Sequence, residues 1–330
     1  MSEPATYLQA IRAALIEEME RDGRVILFGE DVAGPKGGVF KVTEGLPQQF
    51  GEERVFNTPL AEASIVGVGV GAAMAGYRPV VEIQFADFIY PAVDQIINEA
   101  AKIRYRSNNG FGCCMTIRIP YGGGIHGALY HSQCPEAMFA QVPGLKVVVP
   151  GSPADAKGLL KSAIRDPDPV LFFEHKKLYR SLKEELPAGE HLVPLGRARV
   201  ARAGDALTIF SYGYYLQIAL QAAARIAERH GREVEVVDLR TLMPLDQEGI
   251  AASVRRTARA IVLHEANLSY GAGAEISAFL AEHCFEWLDA PVVRLASPDV
   301  PAIPFNSALE EAFLLKPEDV MQAAERLLAY

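Results

Sequence analysis

The sequence predicts an α/β protein made of two doubly wound domains, each with a parallel sheet between two layers of helices. Short apolar runs alternate with longer amphipathic stretches, and this alternation lapses once, in a charged stretch that begins after Arg180. A chain of 330 residues with 50% hydrophobic content can fill two cores of ordinary size. We therefore predict a first domain at 1–185, a linker at 186–204 and a second domain at 205–330.

The first domain has five predicted strands, which are compact, β-branched or aromatic, and bounded by turn residues: 24–29, 78–85, 113–120, 145–150 and 169–174. Its five predicted helices are longer and amphipathic: 5–21, 60–76, 88–107, 134–142 and 153–165. Ser152 is a typical cap for the last helix, and Pro153 fits its first turn. Because strands and helices alternate, the strands are expected to be parallel.

The second domain repeats this alternation without repeating the sequence. Its predicted strands are apolar runs of similar length: 206–213, 233–240, 260–266 and 291–297. Its predicted helices follow them in turn: 214–229, 246–257, 272–286 and 317–329. This pattern again predicts a parallel sheet covered by helices on both faces.

Composition excludes several classes of function. A formal net charge of −9 argues against nucleic-acid binding, which needs concentrated Lys and Arg. The uncharged, apolar stretch at 63–77 is too short and too rich in glycine to cross a membrane. The start of the chain is amphipathic and carries acids, which indicates a cytoplasmic protein without a presequence. The four cysteines form no CxxC pair, so we expect reduced thiols.

The glycine run GVGVGA at 67–72 fits a loose dinucleotide-binding pattern, which keeps a nicotinamide-dependent oxidoreductase open as an alternative function. In a working fingerprint, however, the glycines form the turn between a strand and a helix. Here a helix capped by Thr58 already begins before the run. Gly67, Gly71 and Ala75 then recur every four residues, which favours a flat helix face for close packing, with a second subunit as its partner.

Glu62 is the one ionisable residue at the head of this apolar helix. An acid in the first turn of a helix often does no more than complement the helix dipole. Burial would raise its pKa, while the dipole would favour the charged form. The neighbouring sequence decides between a structural and a functional role.

Long segments of the chain resemble one family in order and spacing: RVFNTPLAEASIVGVGVGAAMAG (54–76), EIQFADFIYPAVDQIINEAAKIRYRS (82–107), HGALYHSQCPEAMFAQVPGLKVVVP (126–150) and DAKGLLKSAIRDPDPVLFFE (155–174). The resemblance continues through VVDLRTLMPLD and HEANLSYGAGAEI in the second domain. These segments are similar to the β subunit of the thiamine-diphosphate-dependent decarboxylating component of 2-oxoacid dehydrogenase complexes. EIQFADFIYPAVDQI and YHSQCPEA are most similar to the branched-chain type. The resemblance implies a pyrimidine-binding domain followed by a transketolase C-terminal-type domain.

The resemblance implies that Glu62 is the activating glutamate of the family. Such a carboxylate forms a hydrogen bond with N1′ of the cofactor's aminopyrimidine and favours its imino tautomer, most effectively in a dry site. Leu60, Gln84 and Phe88 fall where the family lines the same ring; tyrosine is common at the position of Phe88. Glu30 resembles an acid that lines the passage between two cofactor sites. Without the resemblance, core packing would be the better interpretation of Leu60 and Phe88, and a polar strand end that of Gln84. For Glu30, a loop carboxylate exposed to water is nearly as good an interpretation.

Two histidines lie in the glycine-rich segment GGGIHGALYHSQ. Histidine titrates near neutral pH and can therefore donate a proton without much adjustment of its pKa. His131 matches the family histidine associated with acyl transfer to the lipoyl group, where it would protonate the departing sulfur and orient the substrate carboxylate. His126 is a candidate neighbour of the pocket.

The resemblance also implies a site for potassium. Its oxygen ligands would be backbone carbonyls and side-chain oxygens of two segments, CCMT and AIRDPD: Cys113, Met115, Thr116, Ala163, Asp166 and Asp168. Asp168 stands where asparagine is often found in the family. Simple packing of a strand against a helix end is an equally good interpretation of these segments.

The chain lacks the Gly-Asp-Gly motif with which thiamine enzymes bind magnesium and diphosphate; AGDALT at 203–208 is the nearest approach. The resemblance implies that an α subunit holds the magnesium and that the assembly is α2β2. Its activity would be decarboxylation of a 2-oxoacid, expected to be branched-chain, and reductive acylation of the lipoyl group of an acyltransferase core. A pyruvate or acetoin dehydrogenase β subunit is the alternative within the family, and a non-catalytic scaffold subunit is an alternative outside it.

Overall fold

The protein is described by a computed structural model that covers residues 4–34 and 37–330. The chain forms two compact units. The first consists of Met1–Tyr121 and Met138–Leu195, and the second of Gly122–Ala137 and Gly196–Tyr330. The boundaries drawn from the sequence stay a prediction, but the loop at 122–137 belongs with the second unit rather than with the residues that flank it.

The elements up to residue 195 are, in chain order, β1 (Ala5–Thr6), α1 (Tyr7–Arg21), β2 (Val25–Gly29), α2 (Leu46–Phe50), β3 (Val55–Asn57), α3 (Glu62–Met74), β4 (Arg78–Glu82), α4 (Ile103–Arg106), β5 (Thr116–Tyr121), α5 (Glu136–Ala140), β6 (Lys146–Val148), α6 (Pro153–Arg165), β7 (Val170–His175), α7 (Leu178–Ser181) and β8 (Lys183–Glu184). The remaining elements are β9 (Arg199–Arg202), β10 (Thr208–Ser211), α8 (Tyr215–His230), β11 (Glu235–Asp238), β12 (Thr241–Met243), α9 (Gln247–Thr257), β13 (Ala260–Asn267), α10 (Ala272–His283), β14 (Val293–Ser297), α11 (Ser307–Phe313) and α12 (Pro317–Leu328).

Six strands of the first unit form a parallel sheet in the order β6, β7, β5, β4, β2, β3, as predicted for a doubly wound fold. All five apolar runs of the prediction are among them; β3 was not predicted. At the end of β2, Gly29 lies opposite both Asn57 of β3 and Glu82 of β4. The residues that follow these three strands therefore meet at one edge of the sheet, where parallel α/β sheets bind ligands.

The second unit has a five-stranded sheet in the order β14, β13, β10, β11, β9. Four of its strands are the predicted parallel ones. The fifth, β9, runs antiparallel to β11 and comes from residues that were predicted as linker. Its sequence RVAR is charged, and an edge strand tolerates charged side chains because one side of it is unpaired. The sheet is therefore mixed rather than purely parallel.

The prediction of one continuous α-helix at 88–107 is wrong. The chain there forms short 3-10 turns at Ala86–Phe88 and Tyr90–Ala92, a π-helical segment at Gln95–Ala100 and then α4. Pro91 lies within the second turn and has no N–H to donate to a helical ladder, so the segment cannot continue as one α-helix through this point.

The predicted helix at 153–165 is confirmed as α6. Ser152 is its cap, and the Ser152 hydroxyl accepts a hydrogen bond from the backbone N–H of Asp155 at 3.3 Å. Pro153 is its first residue. The residue types at the cap and in the first turn therefore predicted this boundary correctly.

Helix α3 contains the glycine run in its interior, as predicted, so these glycines do not form a strand-to-helix turn. Its cap is Ala61 and not Thr58, whose hydroxyl is buried without a hydrogen-bond partner. Gly69 faces the sheet, where an added Cβ would lie 2.5 Å from the Met115 sulfur. Gly71 faces open space. The predicted contact of this face with a second subunit stays a prediction.

The interior of the first unit contains an ionic cluster. The Arg118 guanidinium donates hydrogen bonds to Glu174 at 2.7 and 2.8 Å and to the Glu82 carboxylate. Tyr179 donates its hydroxyl to Glu174 at 2.6 Å. All four side chains are buried, and burial raises the pKa of Glu82 above its usual value. The single guanidinium therefore compensates two carboxylates.

No helix in the described parts of the chain is both long and apolar enough to cross a membrane.

Candidate functional site

Polar groups without partners gather at the carboxyl edge of β2, β3 and β4. Glu30 follows β2 and is only 4% exposed, and its Oε1 has no hydrogen-bond partner in the structure. Thr58 follows β3, and its Oγ1 is also buried and unpartnered. Buried polar atoms are nearly always satisfied in folded proteins, so two orphans at one sheet edge indicate a place where another molecule completes the contacts.

Glu30 has an unusual pKa. Burial raises it to about 7, and the negative charges of Glu62 and Asp31 add to this shift. The contribution of Glu62 places the two glutamates in one electrostatic neighbourhood. Within residues 4–34 and 37–330, neither glutamate has an ion-pair partner. A carboxyl group with a pKa near neutrality can both accept and release a proton under physiological conditions.

Glu62 is the first residue of α3, and its side chain is half-buried. The first-turn N–H groups of a helix lack partners in the helix and favour nearby negative charge, so an acidic side chain is favourable at this position. The dry setting expected for Glu62 belongs to a site formed between chains and stays a prediction. The exposed part of Glu62 faces solvent at the head of the helix.

The loop after β2 is tied to the end of β3 and to β4. Asn57 forms two hydrogen bonds with Ala33, accepting from its N–H at 2.7 Å and donating to its carbonyl at 2.8 Å. Gln84 donates from Nε2 to the Asp31 carboxylate at 3.1 Å and to the Glu30 carbonyl at 3.4 Å. The sequence indicated Gln84 but gave no signal for Asn57 or Asp31. Together these residues fix the backbone beside Glu30.

The two apolar candidates differ in their surroundings. Leu60 is 81% exposed, so no core contact accounts for it. Phe88 is half-buried, and its ring packs edge-on against Phe85 with 5.6 Å between centroids. Leu60 is therefore available for contact with a ligand or another chain, whereas the Phe88 ring is held in place by Phe85.

The two histidines belong to the second unit. His131 is half-buried and follows a turn in which its N–H donates to the Ala128 carbonyl at 3.4 Å. The His126 side chain is 56% exposed, and its Nδ1 lies 2.5 Å from a carboxylate oxygen of Glu310, which is buried. Glu310 lies 184 residues from His126 along the chain, so the sequence could not indicate the pair.

A further buried acid lies in the same segment. The hydroxyl of Tyr212 donates to Glu136 at 2.7 Å, and burial raises the pKa of Glu136 to about 7. The sequence analysis did not single out Glu136.

The residues expected to hold potassium lie at the start of β5 and the end of α6. The carbonyls of Cys113, Met115 and Ala163 each accept one backbone hydrogen bond, which leaves a lone pair on each oxygen. Thr116 contributes a buried, unpartnered hydroxyl.

The two carboxylates of this group already have cationic partners. Asp166 pairs with Lys146 at 2.6 Å, and Asp168 pairs with Arg104. Across the described residues, no cluster of three or more His, Cys, Asp and Glu side chains could hold a metal ion.

Two family models match the chain, one on each side of residue 190. Residues 3–181 match "Transketolase, pyrimidine binding domain", and residues 196–320 match "Transketolase, C-terminal domain". A solved structure titled "Split gene transketolase, inactive beta4 tetramer" is similar, with a TM-score of 0.78, 26% sequence identity and 98% of each chain covered.

Curated relatives match over nearly the whole chain. The 2-oxoisovalerate dehydrogenase subunit beta of Bacillus subtilis is 56% identical over 98% of both chains. The mitochondrial 2-oxoisovalerate dehydrogenase subunit beta 2 of Arabidopsis thaliana is 49% identical over 97% of this chain and 88% of its own length. The pyruvate dehydrogenase E1 component subunit beta of Bacillus subtilis is 47% identical, over 98% of this chain and 99% of its own.

Proposed function

Because this chain belongs to the transketolase-like family of 2-oxoacid dehydrogenase β subunits, we propose that it supplies one half of a site that decarboxylates a branched-chain 2-oxoacid. The observation that carries the proposal is Glu62 at the head of α3, beside a buried carboxyl group of raised pKa. The branched-chain substrate is supported by the 56% and 49% identities to 2-oxoisovalerate dehydrogenase subunits, against 47% to a pyruvate dehydrogenase subunit. A pyruvate or acetoin dehydrogenase is the alternative.

The residues at the sheet edge fit the aminopyrimidine of thiamine diphosphate. The orphaned atoms of Glu30 and Thr58 mark a place for a polar partner, and Glu62 can accept a hydrogen bond from a ring nitrogen. When bound, this cofactor supplies the electron-accepting ring on which a 2-oxoacid loses CO2. Gln84 and Phe88 would line its pyrimidine, and the exposed Leu60 would be covered by it.

In this proposal, the acidic side chains of the chain control where protons are bound near the cofactor. Glu62 would keep its hydrogen bond to N1′ of the pyrimidine, since the first turn of α3 favours its charge. Glu30, with a pKa of about 7, would take up or release a proton near the site at neutral pH. The loop that Asn57 and Gln84 tie down would hold Glu30 in place.

We assign His131 to the second half of the reaction. The 2-oxoacid loses CO2, and its acyl carbon forms a bond to one sulfur of the lipoyl disulfide. The S–S bond breaks, the lipoyl group is reduced by two electrons, and the other sulfur leaves as a thiolate that needs a proton. His131 would donate that proton, and it would also orient the carboxylate of the substrate.

The other half of the site would come from an α subunit, in an α2β2 assembly that acts on a lipoyl acyltransferase core. The α subunit would bind magnesium and the diphosphate, because this chain lacks the motif for both. Potassium would bind the carbonyls of Cys113, Met115, Ala163 and Asp166. The unpartnered hydroxyl of Thr116 supports this site, and Asp168 fits it less well because it is paired with Arg104.

The test is to purify this chain with the α subunit of the same organism and to measure CO2 release from pyruvate, 2-oxobutyrate and branched-chain 2-oxoacids. We expect the highest kcat/KM with a branched-chain acid and no activity from either chain alone. A preference for pyruvate would establish the alternative. No CO2 from any 2-oxoacid by an assembled, cofactor-loaded complex would refute the proposal.

A further inference from the structure

The loop between β5 and α5 has a backbone that needs outside support. Gly122 and Gly124 have φ of 86° and 76°, and His126 and Ala128 have φ of 57° and 58°. Glycine takes this left-handed conformation freely, whereas for other residues it costs about 1–2 kcal/mol each. The loop therefore depends on contacts that hold His126 and Ala128 in this conformation.

Two carboxylates from distant parts of the second unit contact this loop, at Gly123, Gly124 and His126. Glu265, on β13, accepts a hydrogen bond from the N–H of Gly123 at 2.5 Å. Glu310, on α11, accepts from the N–H of Gly124 at 2.9 Å and from the N–H of His126 at 3.4 Å. Its second oxygen lies 2.5 Å from the Nδ1 of His126. Glu310 is 2% exposed, so it binds the loop where little water competes.

The restrained part of the loop touches His131 directly. Gly127 follows His126, and a Cβ added to Gly127 would lie 2.7 Å from the carbonyl oxygen of His131 and 3.0 Å from its Cβ. The N–H of His131 donates to Ala128. Glu310 restrains the backbone of His126, and the next residue, Gly127, packs against the backbone of His131. The position of the His131 ring therefore depends on the contacts of Glu310.

We propose that Glu310 is a positioning residue for His131, acting through His126 and the backbone of Gly127. Glu310 touches neither substrate nor cofactor in this role. The inference rests on the function proposed above for His131. It also gives His126 a role: its ring is an anchor of the loop, held at Nδ1 by a buried carboxylate.

The experiment compares two reactions of the assembled α2β2 complex. Reductive acylation of a free lipoyl domain requires His131, whereas decarboxylation followed with an artificial electron acceptor does not require the lipoyl group. We expect Glu310→Ala to lower kcat for reductive acylation at least about 10-fold, because small displacements of a reacting group are costly. KM for the lipoyl domain should stay within about twofold. Decarboxylation should fall at least about threefold less than acylation, because in that step His131 only orients the substrate carboxylate and donates no proton.

Conservative variants and a neighbouring acid serve as controls. Glu310→Gln retains an oxygen for both backbone N–H groups and should recover acylation to within about threefold of the wild type. Glu310→Asp keeps the charge but is one methylene shorter, so it should show the same selective loss of acylation as Glu310→Ala. If the alanine variant does not assemble, the aspartate variant serves as the test of the proposal. Glu311→Ala, at the exposed neighbouring acid, should leave both reactions unchanged.

The inference is overturned if the Glu310→Ala and Glu310→Asp complexes lose both reactions equally or lose neither. It is also overturned if Glu310→Gln is as impaired as Glu310→Ala. A wild-type complex that fails to release CO2 or to acylate the lipoyl domain would instead refute the proposed function itself, so the two failures are distinct.

Discussion

The loop at 122–128 and the sheet edge at Glu30 bury acidic side chains in opposite ways. In the second unit, the carboxylates of Glu265 and Glu310 receive backbone N–H groups of the loop at 122–128. In the first unit, Glu30 is buried at the sheet edge beside another glutamate, with one oxygen that accepts no hydrogen bond. A buried acid that its own chain compensates serves the structure. A buried acid left uncompensated indicates that a ligand or another chain completes the site.

The same contrast holds within the first unit. Glu82 and Glu174 lie deeper in the sheet than Glu30, yet both are hydrogen-bonded to Arg118. Burial alone therefore does not distinguish Glu30 from these two acids; its unpartnered oxygen does.

Removing Arg118, the cation that compensates Glu82 and Glu174, should have the largest effect on stability. Arg118→Met would leave two carboxylates buried without a cation, and we expect the free energy of unfolding to fall by about 3–5 kcal/mol. Urea unfolding of the purified chain measures this. The matched control is Arg106→Met, at an exposed ion pair with Glu99, which should cost less than about 1 kcal/mol. Equal effects of the two variants would show that Arg118 is not a compensating group.

Removing Glu62, the acid beside Glu30, should damage catalysis rather than stability. Glu62→Gln keeps the shape of the side chain but loses the charge at the head of α3, and we expect decarboxylation by the assembled complex to fall at least about 100-fold. CO2 release measures the loss, and thermal unfolding should be unchanged. Glu52→Gln, at an exposed acid, is the control. Unimpaired decarboxylation in the Glu62 variant would favour the scaffold interpretation of this subunit.

A smaller effect separates Glu30 from the structural acids. The folded state raises the pKa of Glu30 to about 7, so it binds a proton more tightly than the unfolded chain does. Stability should therefore fall as the pH rises from about 5 to about 7.5, by about 2 kcal/mol from this group. Glu30→Gln should remove that decline, so that the variant is the more stable protein at pH 7.5 and nearly equal to wild type at pH 5. Parallel pH profiles of the two unfolding free energies would contradict this.

Much of the fold could be predicted from the sequence because its signals are local. The buried strands are β-branched runs, and the cap at Ser152 fixed the start of α6 to the residue. The prediction of secondary structure failed in two places: where a proline interrupts a helical pattern, and where a strand lacks the apolar pattern that identifies strands. Pro91 and the π-helical turn interrupt a stretch of helical character, and β9 is an edge strand whose charges hide it among linker residues.

The candidate site divides in the same way. Glu62 and Gln84 lie in long motifs that the sequence shows directly. Asn57 and Ala33 are 24 residues apart, and Glu310 and His126 are 184 apart. No spacing rule connects residues over such separations, since the topology of the fold alone brings them together. The structure was therefore needed to show that Asn57 and Glu310 each hold a loop in place.

Helix α3 approaches the sheet so closely because position 69 has no side chain: a methyl group there would press on the sulfur of Met115 and on Val81 of β4. The absence of a side chain at position 69 therefore sets the distance between helix α3 and the sheet. It also sets the position of Glu62, which is the first residue of α3, two turns away. Enlarging position 69 would shift Glu62 away from the sheet edge, and shrinking Met115 in the same chain would let the helix return. We therefore expect sequence changes at these two buried positions to occur in pairs.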